Sequence, residues 1–343
     1  MGITLSRPGI YVPNTTINNH FLERIIDTTD DWIKERSGIS ERRISLDLGI
    51  KEMGLIAAQR CLEQNMITNQ EINEIIFATN FHDDNLEVPM HASYVAKKLE
   101  IEKAALFDVE AGCTGLVYAI RLAYNNMSIE PNLKRVLVVG GERLTNVTDY
   151  SDRTTCFLFG DGAGAYLLER WDNEEGIIKN VCGGEPDLGD GKEFASGFLS
   201  QQHKKGLELV MDPNGDLITQ EAEKDYLTMK GQPIYQYAVR VMRHAVHEVL
   251  EGTEYKLEDV DVIVPHGANL RIIESANKKL EEKGFKGKIY HNLATHGNTS
   301  TASIPIAAAQ AFEERKIKKG SLVINVAFGA GFTWGANLYR AMS

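Results

Sequence analysis

The sequence predicts an α/β protein built by duplication, with two pseudo-twofold-related halves packed as layers. Three observations carry that prediction. Short apolar strands alternate with amphipathic helices along most of the 343 residues. Segments of the first half recur, in order, in the second. The shift between them is nearly constant: Ile76 to Ile263 is 187 residues, Cys113 to Asn298 is 185 and Leu137 to Val323 is 186. Periods of about 20–50 residues would mark a stacked repeat. One long shift instead divides the chain into halves 1–172 and 173–343.

The elements follow in order. "MGITLSRPGIYVP" reads as a first strand ending in a turn, without the basic-then-apolar order of a signal segment. It matches a loose myristoylation pattern, but the residues after it read as core. "NEIIFATN" (73–80) and "VDVIVPHG" (260–267) share an acidic lead-in, an apolar strand and a polar tip. "ASYVAKKLEI" and "ANLRIIESANKKLEE" then supply amphipathic helices. "AGCTGLVYAIRLA" and "HGNTSTASIPIAAAQA" each open a small-residue helix at a glycine-flanked tip. "RVLVVGGE" and "SLVINVAFG" are buried strands ending at glycine. In "FGDGAGA" (159–165) the spacing is not that of a dinucleotide fingerprint, and tight strand–turn packing is the reading.

Composition narrows the function. Apolar residues make up 43% and charged residues 25%, the proportions of an ordinary globular chain. Apolar runs such as "VLVVGG" are far too short to cross a bilayer. A net charge of −11 argues against nucleic acid or an anionic membrane as partner, yet allows a small anion held by local arginines. Cys61, Cys113, Cys156 and Cys182 lack C-x-x-C spacing, so neither a disulfide framework nor a zinc site is expected. A reducing cytoplasm is the expected compartment. "HAVH" (244–247) and "HNLATH" (291–296) have no third ligand at a sensible spacing, and no metal is expected.

Duplication brings corresponding tips together. Ligand sites in α/β sheets gather at the carboxyl ends of strands, so Cys113, His266 and Asn298 become candidates to meet. A cysteine at a helix start is a nucleophile favoured as thiolate by the helix N-terminus. A thiolate suits exchange of acyl groups between thioesters. If carbon dioxide then leaves a malonyl thioester, His Nε2–H and the Asn amide would stabilise the enolate oxygen. Backbone amides of Cys113 and Ala330, in the "FGAGF" turn, would hold the acyl oxyanion. Each residue has a plainer reading: Cys113 as packing, His266 as a loop histidine, Asn298 as an N-cap for the helix after it. His296 precedes its tip and reads as packing.

"DTTDDWIKERSGISERRI", "AGCTG", "DRTTCFLFGDGAGAYLLE", "PHGANLRII", "HGNTSTASIP" and "FGAGFTWGA" together resemble the β-ketoacyl-acyl-carrier-protein synthase III family of the thiolase superfamily. The resemblance spans nearly the whole chain and implies a thiolase-like αβαβα fold. It implies a Cys113–His266–Asn298 triad that accepts an acyl group from acyl-CoA and condenses it with malonyl-carrier protein. It implies CoA contacts from Trp32 under the adenine, with Thr28, Arg36 and Arg153 at the nucleotide end. Asn269, Arg271, Gly231 and Tyr235 would line the pantetheine channel. It also implies a homodimer, an acyl-carrier-protein partner and no tightly bound cofactor.

Departures bear on substrate. The family's aromatic acyl gate is matched by Val88, implying room for a longer or branched acyl chain. Neighbouring Glu87 is a candidate extra base, because some superfamily members use a glutamate near the site for Claisen condensation, although its register here is one residue off. Gly267 replaces the more usual glutamine after the histidine. Residues 183–230 are longer than in compact members and read as a long loop that reshapes the acyl tunnel or the carrier-protein surface. The rival readings are a specialised-metabolism enzyme with an unusual acyl chain or acceptor, and a non-catalytic partner subunit.

Overall fold

The computed structural model describes residues 2–82, 90–171, 176–186 and 199–342. Val88 and Glu87, the gate and extra-base candidates, lie outside them. In chain order the first half runs β1 (Gly2–Leu5), β2 (Gly9–Tyr11), β3 (Thr15–Asn18), α1 (Asn19–Leu22), α2 (Asp30–Ser37), β4 (Glu41–Ile44) and α3 (Ile50–Gln64). It continues with β5 (Glu74–Ala78), α4 (His91–Lys98), β6 (Ala105–Val109), α5 (Gly115–Ile129), β7 (Arg135–Arg143) and β8 (Asp161–Trp171). The second runs β9 (Ile177–Gly184), β10 (Leu199–Met211), β11 (Leu217–Met229), α6 (Gly231–Leu250), β12 (Val262–Pro265), α7 (Leu270–Glu281) and β13 (Lys288–Ile289). It ends with α8 (Leu293–His296), α9 (Ser303–Glu313), β14 (Leu322–Gly329) and β15 (Thr333–Arg340).

Two main sheets share one strand order. The first is β1-β8-β7-β5-β6, with β2 also on β8; the second is β9-β15-β14-β12-β13. In each, the three strands at one end are parallel (β7-β5-β6, β14-β12-β13) and the rest antiparallel. Parallel strands buried on both faces require near-continuous apolar runs. The burial of every residue of β5, β12 and β14 meets that requirement.

Helices α5 and α9 contact both sheets and form the middle layer. Their apolar residues (Leu116, Ile120, Ala123, Ile304, Ala308, Ala311) merge with Ile76, Val138, Val264 and Val323 in one core. Fully burying such a side chain contributes about 1.5–3 kcal/mol. Helices α3 and α4 cover the first sheet's outer face, and α6 and α7 the second's. This is the αβαβα order. Among the described residues no helix is long and apolar enough to cross a membrane.

Two expectations are corrected. The long loop expected in 183–230 contains the antiparallel hairpin β10–β11, paired from Leu199↔Met229 to Met211↔Leu217. Its turn is "DPNGD", where the Asp212 side chain accepts the amides of Asn214 and Asp216. The many charged residues hide a two-residue alternation, exposed then half-buried, along β11. "DGAGA" (161–165) belongs to strand β8, so only Gly160, just before it, is left to the turn. A Cβ on Gly164 would sit 2.4 Å from Pro305 Cγ, so glycine there lets α9 approach the strand.

Candidate active site

The Cys113 turn follows β6. Gly112 adopts φ +58°, a single 3-10 turn spans Gly112–Thr114, and α5 begins at Gly115. A Cβ on Gly112 would be strained by that φ and would lie 3.0 Å from the backbone N and O of Ala330. On Gly329 it would lie 2.6 Å from the Cys113 amide nitrogen. The two amides expected to hold an oxyanion therefore sit on opposing, tightly packed turns.

The residue keeps some exposure through a cavity, but burial dominates the sulfur. Desolvation pushes the thiol up to about 11, against a hydrogen bond from Ser300, and nearby Glu142 pushes the same way. The helix N-terminus was expected to favour thiolate; loss of water outweighs it, and the resting group is a thiol.

His266 follows β12, its amide donating to Val326 O at 2.7 Å. Burial lowers its pKa to about 4, so the ring is neutral. Nδ1 lies 2.8 Å from Ser303 Oγ, which lies 2.7 Å from Ser300 O. With its one hydrogen on Ser300 O, Ser303 accepts from Nδ1–H and Nε2 presents a lone pair. Turned to Nδ1, it leaves the hydrogen on Nε2. The donor role expected for Nε2–H therefore requires the second arrangement.

Asn298 is anchored by a two-way exchange: its amide donates to Leu158 O at 2.8 Å, and Gly160 N donates to Asn298 O at 2.9 Å. Its Oδ1 accepts from Ser300 N at 2.9 Å, leaving Nδ2 for a ligand. It does not cap α9, whose N-cap is Ala302.

Cys113, His266 and Asn298 line one cavity of about 130 Å³ with Phe328, Gly329 and Ala330. Gly231, Tyr235 and Asn269 connect it to an outer groove of about 430 Å³ that reaches Trp32, Arg36 and Arg271. Across Cys113 lies a further cavity of about 460 Å³, walled by Asn80, Leu144, Phe159 and, from the hairpin, Ser200, Gln201 and Leu227.

Known proteins share this fold. The model of 3-oxoacyl-acyl-carrier-protein (ACP) synthase III matches residues 107–186, and that of its C-terminal region residues 250–341. A beta-ketoacyl-acyl-carrier-protein synthase III of Clostridium tetani is 39% identical over 332 residues, 97% of this chain and 96% of that relative. The chain belongs to the β-ketoacyl-acyl-carrier-protein synthase III family. The crystal structure of the Aquifex aeolicus synthase superposes with a TM-score of 0.83 at 35% identity, covering 99% of this chain and 100% of that one. A priming β-ketosynthase of a polyketide pathway superposes with a TM-score of 0.83 at 28% identity, covering 100% and 97%.

Within this synthase III fold, the CoA-contact residues implied by resemblance separate into two groups. Trp32, Arg36, Gly231, Tyr235, Asn269 and Arg271 all line the outer groove. Arg153 lies over the Trp32 ring at 4.4 Å and Arg36 at 4.7 Å, so cations already cover the indole. Asn269 also caps α7 and donates to Arg36 O at 3.0 Å. Thr28 is buried and lines none of these cavities. His296 is buried away from the cavity, against Thr295 and Gln310. A Cβ on Gly267 would meet Leu293 and Ser303 only at ordinary contact distance, so the missing side chain leaves space beside Ser303.

The repeat alignment is also corrected. Cys113 was paired with Asn298, but the turns Gly112–Thr114 and Ser300–Ala302 correspond, which pairs Cys113 with Thr301 and Gly112 with Ser300. Sequence reasoning missed Ser300, Ser303 and Glu142. For Glu142 a signal existed: a glutamate closing the buried strand "VLVVGG" is out of place unless hydrogen-bonded.

Proposed function

We propose that this protein is a condensing acyltransferase in which Cys113 takes an acyl group from acyl-CoA and passes it to malonyl-acyl-carrier protein. The products are β-ketoacyl-carrier protein, carbon dioxide and CoA. The observation that carries this reading is the single cavity lined by Cys113, His266 and Asn298 and continuous with the groove at Trp32 and Arg271. A pantetheine arm in that passage would deliver its thioester to the sulfur. The arginines at the groove suit phosphate oxygens despite the acidic chain. The amides of Cys113 and Ala330 would hold the acyl oxyanion. In condensation, Asn298 Nδ2 would donate to the enolate, with His266 Nε2–H beside it when Ser303 turns to Nδ1. Residues 1–172 would thus supply the nucleophile and 173–343 the hydrogen-bonding pair, in a cytoplasmic homodimer without a tightly bound cofactor.

The test is intact-mass detection of the Cys113 adduct across a panel of acyl-CoA esters, followed by carbon dioxide release from malonyl-acyl-carrier protein. An adduct without carbon dioxide release sinks the condensing reading. The second reading, a longer or unusual acyl chain, is favoured by the 460 Å³ cavity across Cys113 and its hairpin wall. A clean preference for acetyl-CoA over octanoyl-CoA would count against it.

A further inference from the structure

Ser300 is held by every polar group it has. Its amide donates to Asn298 Oδ1, its carbonyl accepts from Ser303 Oγ, and its hydroxyl lies among three other groups, accepting from Asn80 Nδ2 at 3.3 Å. Oγ is 3.4 Å from Cys113 Sγ and 3.3 Å from Glu142 Oε1. The backbone is at φ +48°, a conformation a serine holds only where its surroundings impose it.

Glu142 is fully buried at the end of β7. Its carboxylate accepts from Asn80 N at 3.2 Å, Asn80 Nδ2 at 2.5 Å, Thr79 Oγ1 at 3.3 Å and Thr301 Oγ1 at 3.3 Å, as well as from Ser300. These partners are uncharged. The titratable groups around the cluster are Cys113 on its turn and His266, which approaches Ser300 from the end of β12. Arg143, next in the chain, turns instead to Ser45 O and acts on Asp161.

We propose that Glu142, acting through the Ser300 hydroxyl, takes the Cys113 proton during acylation and returns it after condensation. Ser300 touches the reacting sulfur and is the catalytic group; Glu142 is a positioning residue behind it. In acylation the Cys113 S–H bond breaks and its proton passes to Ser300 Oγ, as the Ser300 proton passes to the Glu142 carboxylate. Sulfur attacks the thioester carbonyl, the bond to CoA breaks, and the CoA thiolate takes a proton from water. In condensation the carbanion displaces Cys113 as thiolate, which recovers the proton from Glu142 by the reverse path. Glu142 ends each cycle as it began.

Burial supports this division of roles. It raises the Glu142 carboxyl to about 8 and the Cys113 thiol to about 11, so the first proton lost by the pair leaves near pH 8. A hydrogen-bonded pair can then place the remaining proton on oxygen and the charge on sulfur.

The inference rests on Cys113 as nucleophile, but its test needs neither acyl-CoA nor malonyl-carrier protein. Loss of carbon dioxide release would sink the condensing reading and leave this result standing. The rate of Cys113 alkylation by iodoacetamide is followed by peptide mass spectrometry between about pH 6 and pH 10. For the unmodified chain the profile rises with a midpoint near pH 8. In Glu142→Gln the midpoint moves up by about one unit or more, and the rate at pH 8 falls about tenfold. Glu142→Asp restores most of the shift. Ser300→Ala gives the same upward shift with Glu142 in place, and the double variant adds nothing further. A loss by one constant factor at every pH, or a midpoint that moves down, overturns the proposal. So does an unshifted profile in Ser300→Ala, which decides the matter if Glu142→Gln does not fold.

Discussion

In the Cys113 turn the left-handed position is Gly112, at φ +58°; in the matching turn of the second half it is Ser300, at φ +48°. Both open a single 3-10 turn that runs into a small-residue helix between the sheets. Glycine adopts this backbone without steric cost, whereas a side chain there costs about 1–2 kcal/mol. The first half therefore leaves space, filled by the Ala330 backbone, and presents a thiol one residue later. The second half keeps a strained serine whose hydroxyl reaches that thiol. The duplicated turns have diverged into the proposed nucleophile and a hydrogen-bond frame around it.

The largest test of this contrast removes the reacting group. Cys113→Ala is expected to abolish the acyl adduct by intact mass and lower condensation by at least about 1,000-fold. Removing a donor from the frame gives the opposite pattern. Asn298→Ala is expected to slow carbon dioxide release about 100- to 1,000-fold while the Cys113 adduct still forms, since only the enolate loses its donor. An equal loss in both half-reactions would break the division between the turns. Ser303→Ala frees Nδ1 of His266 from its partner and is expected to cost about tenfold in kcat, with little change in KM for acyl-CoA.

Gly112→Ala tests the space rather than the chemistry. It should lower unfolding free energy by about 1–2 kcal/mol, measured by denaturant titration, through the strained φ and the Ala330 contact. The smallest effect sharpens the frame's electrostatics. The folded state holds the Glu142 proton up to about pH 8, whereas an ordinary glutamate releases it near 4.5. Between those values the folded state binds more protons than the unfolded chain, so this group's contribution to stability falls as pH rises. The Tm difference between Glu142→Gln and the unmodified chain should therefore shift in the variant's favour from about pH 5 to pH 8 and level off above it.

Much of this was legible in the residues because apolar periodicity reports burial directly. The strands "EIIFA" and "VIVP" and the helices after each tip lie where their patterns place them. The β10–β11 hairpin was obscured because its strands are polar on the exposed face and charged throughout. The residues behind the site were obscured for another reason. Ser300, Ser303 and Glu142 are ordinary in sequence, and their meaning lies in contacts across 37–187 residues of chain.

By itself, the sequence determined the duplicated α/β architecture through its local pattern, pointed to the family through the resemblance of its motifs, and offered Cys113, His266 and Asn298 as candidates to meet. Only the tertiary structure decided that Gly112 answers to Ser300, that a serine sets the His266 tautomer, and that the buried sulfur rests as a thiol. Those properties depend on how much water and which distant donors surround each atom, and only the folded chain fixes them.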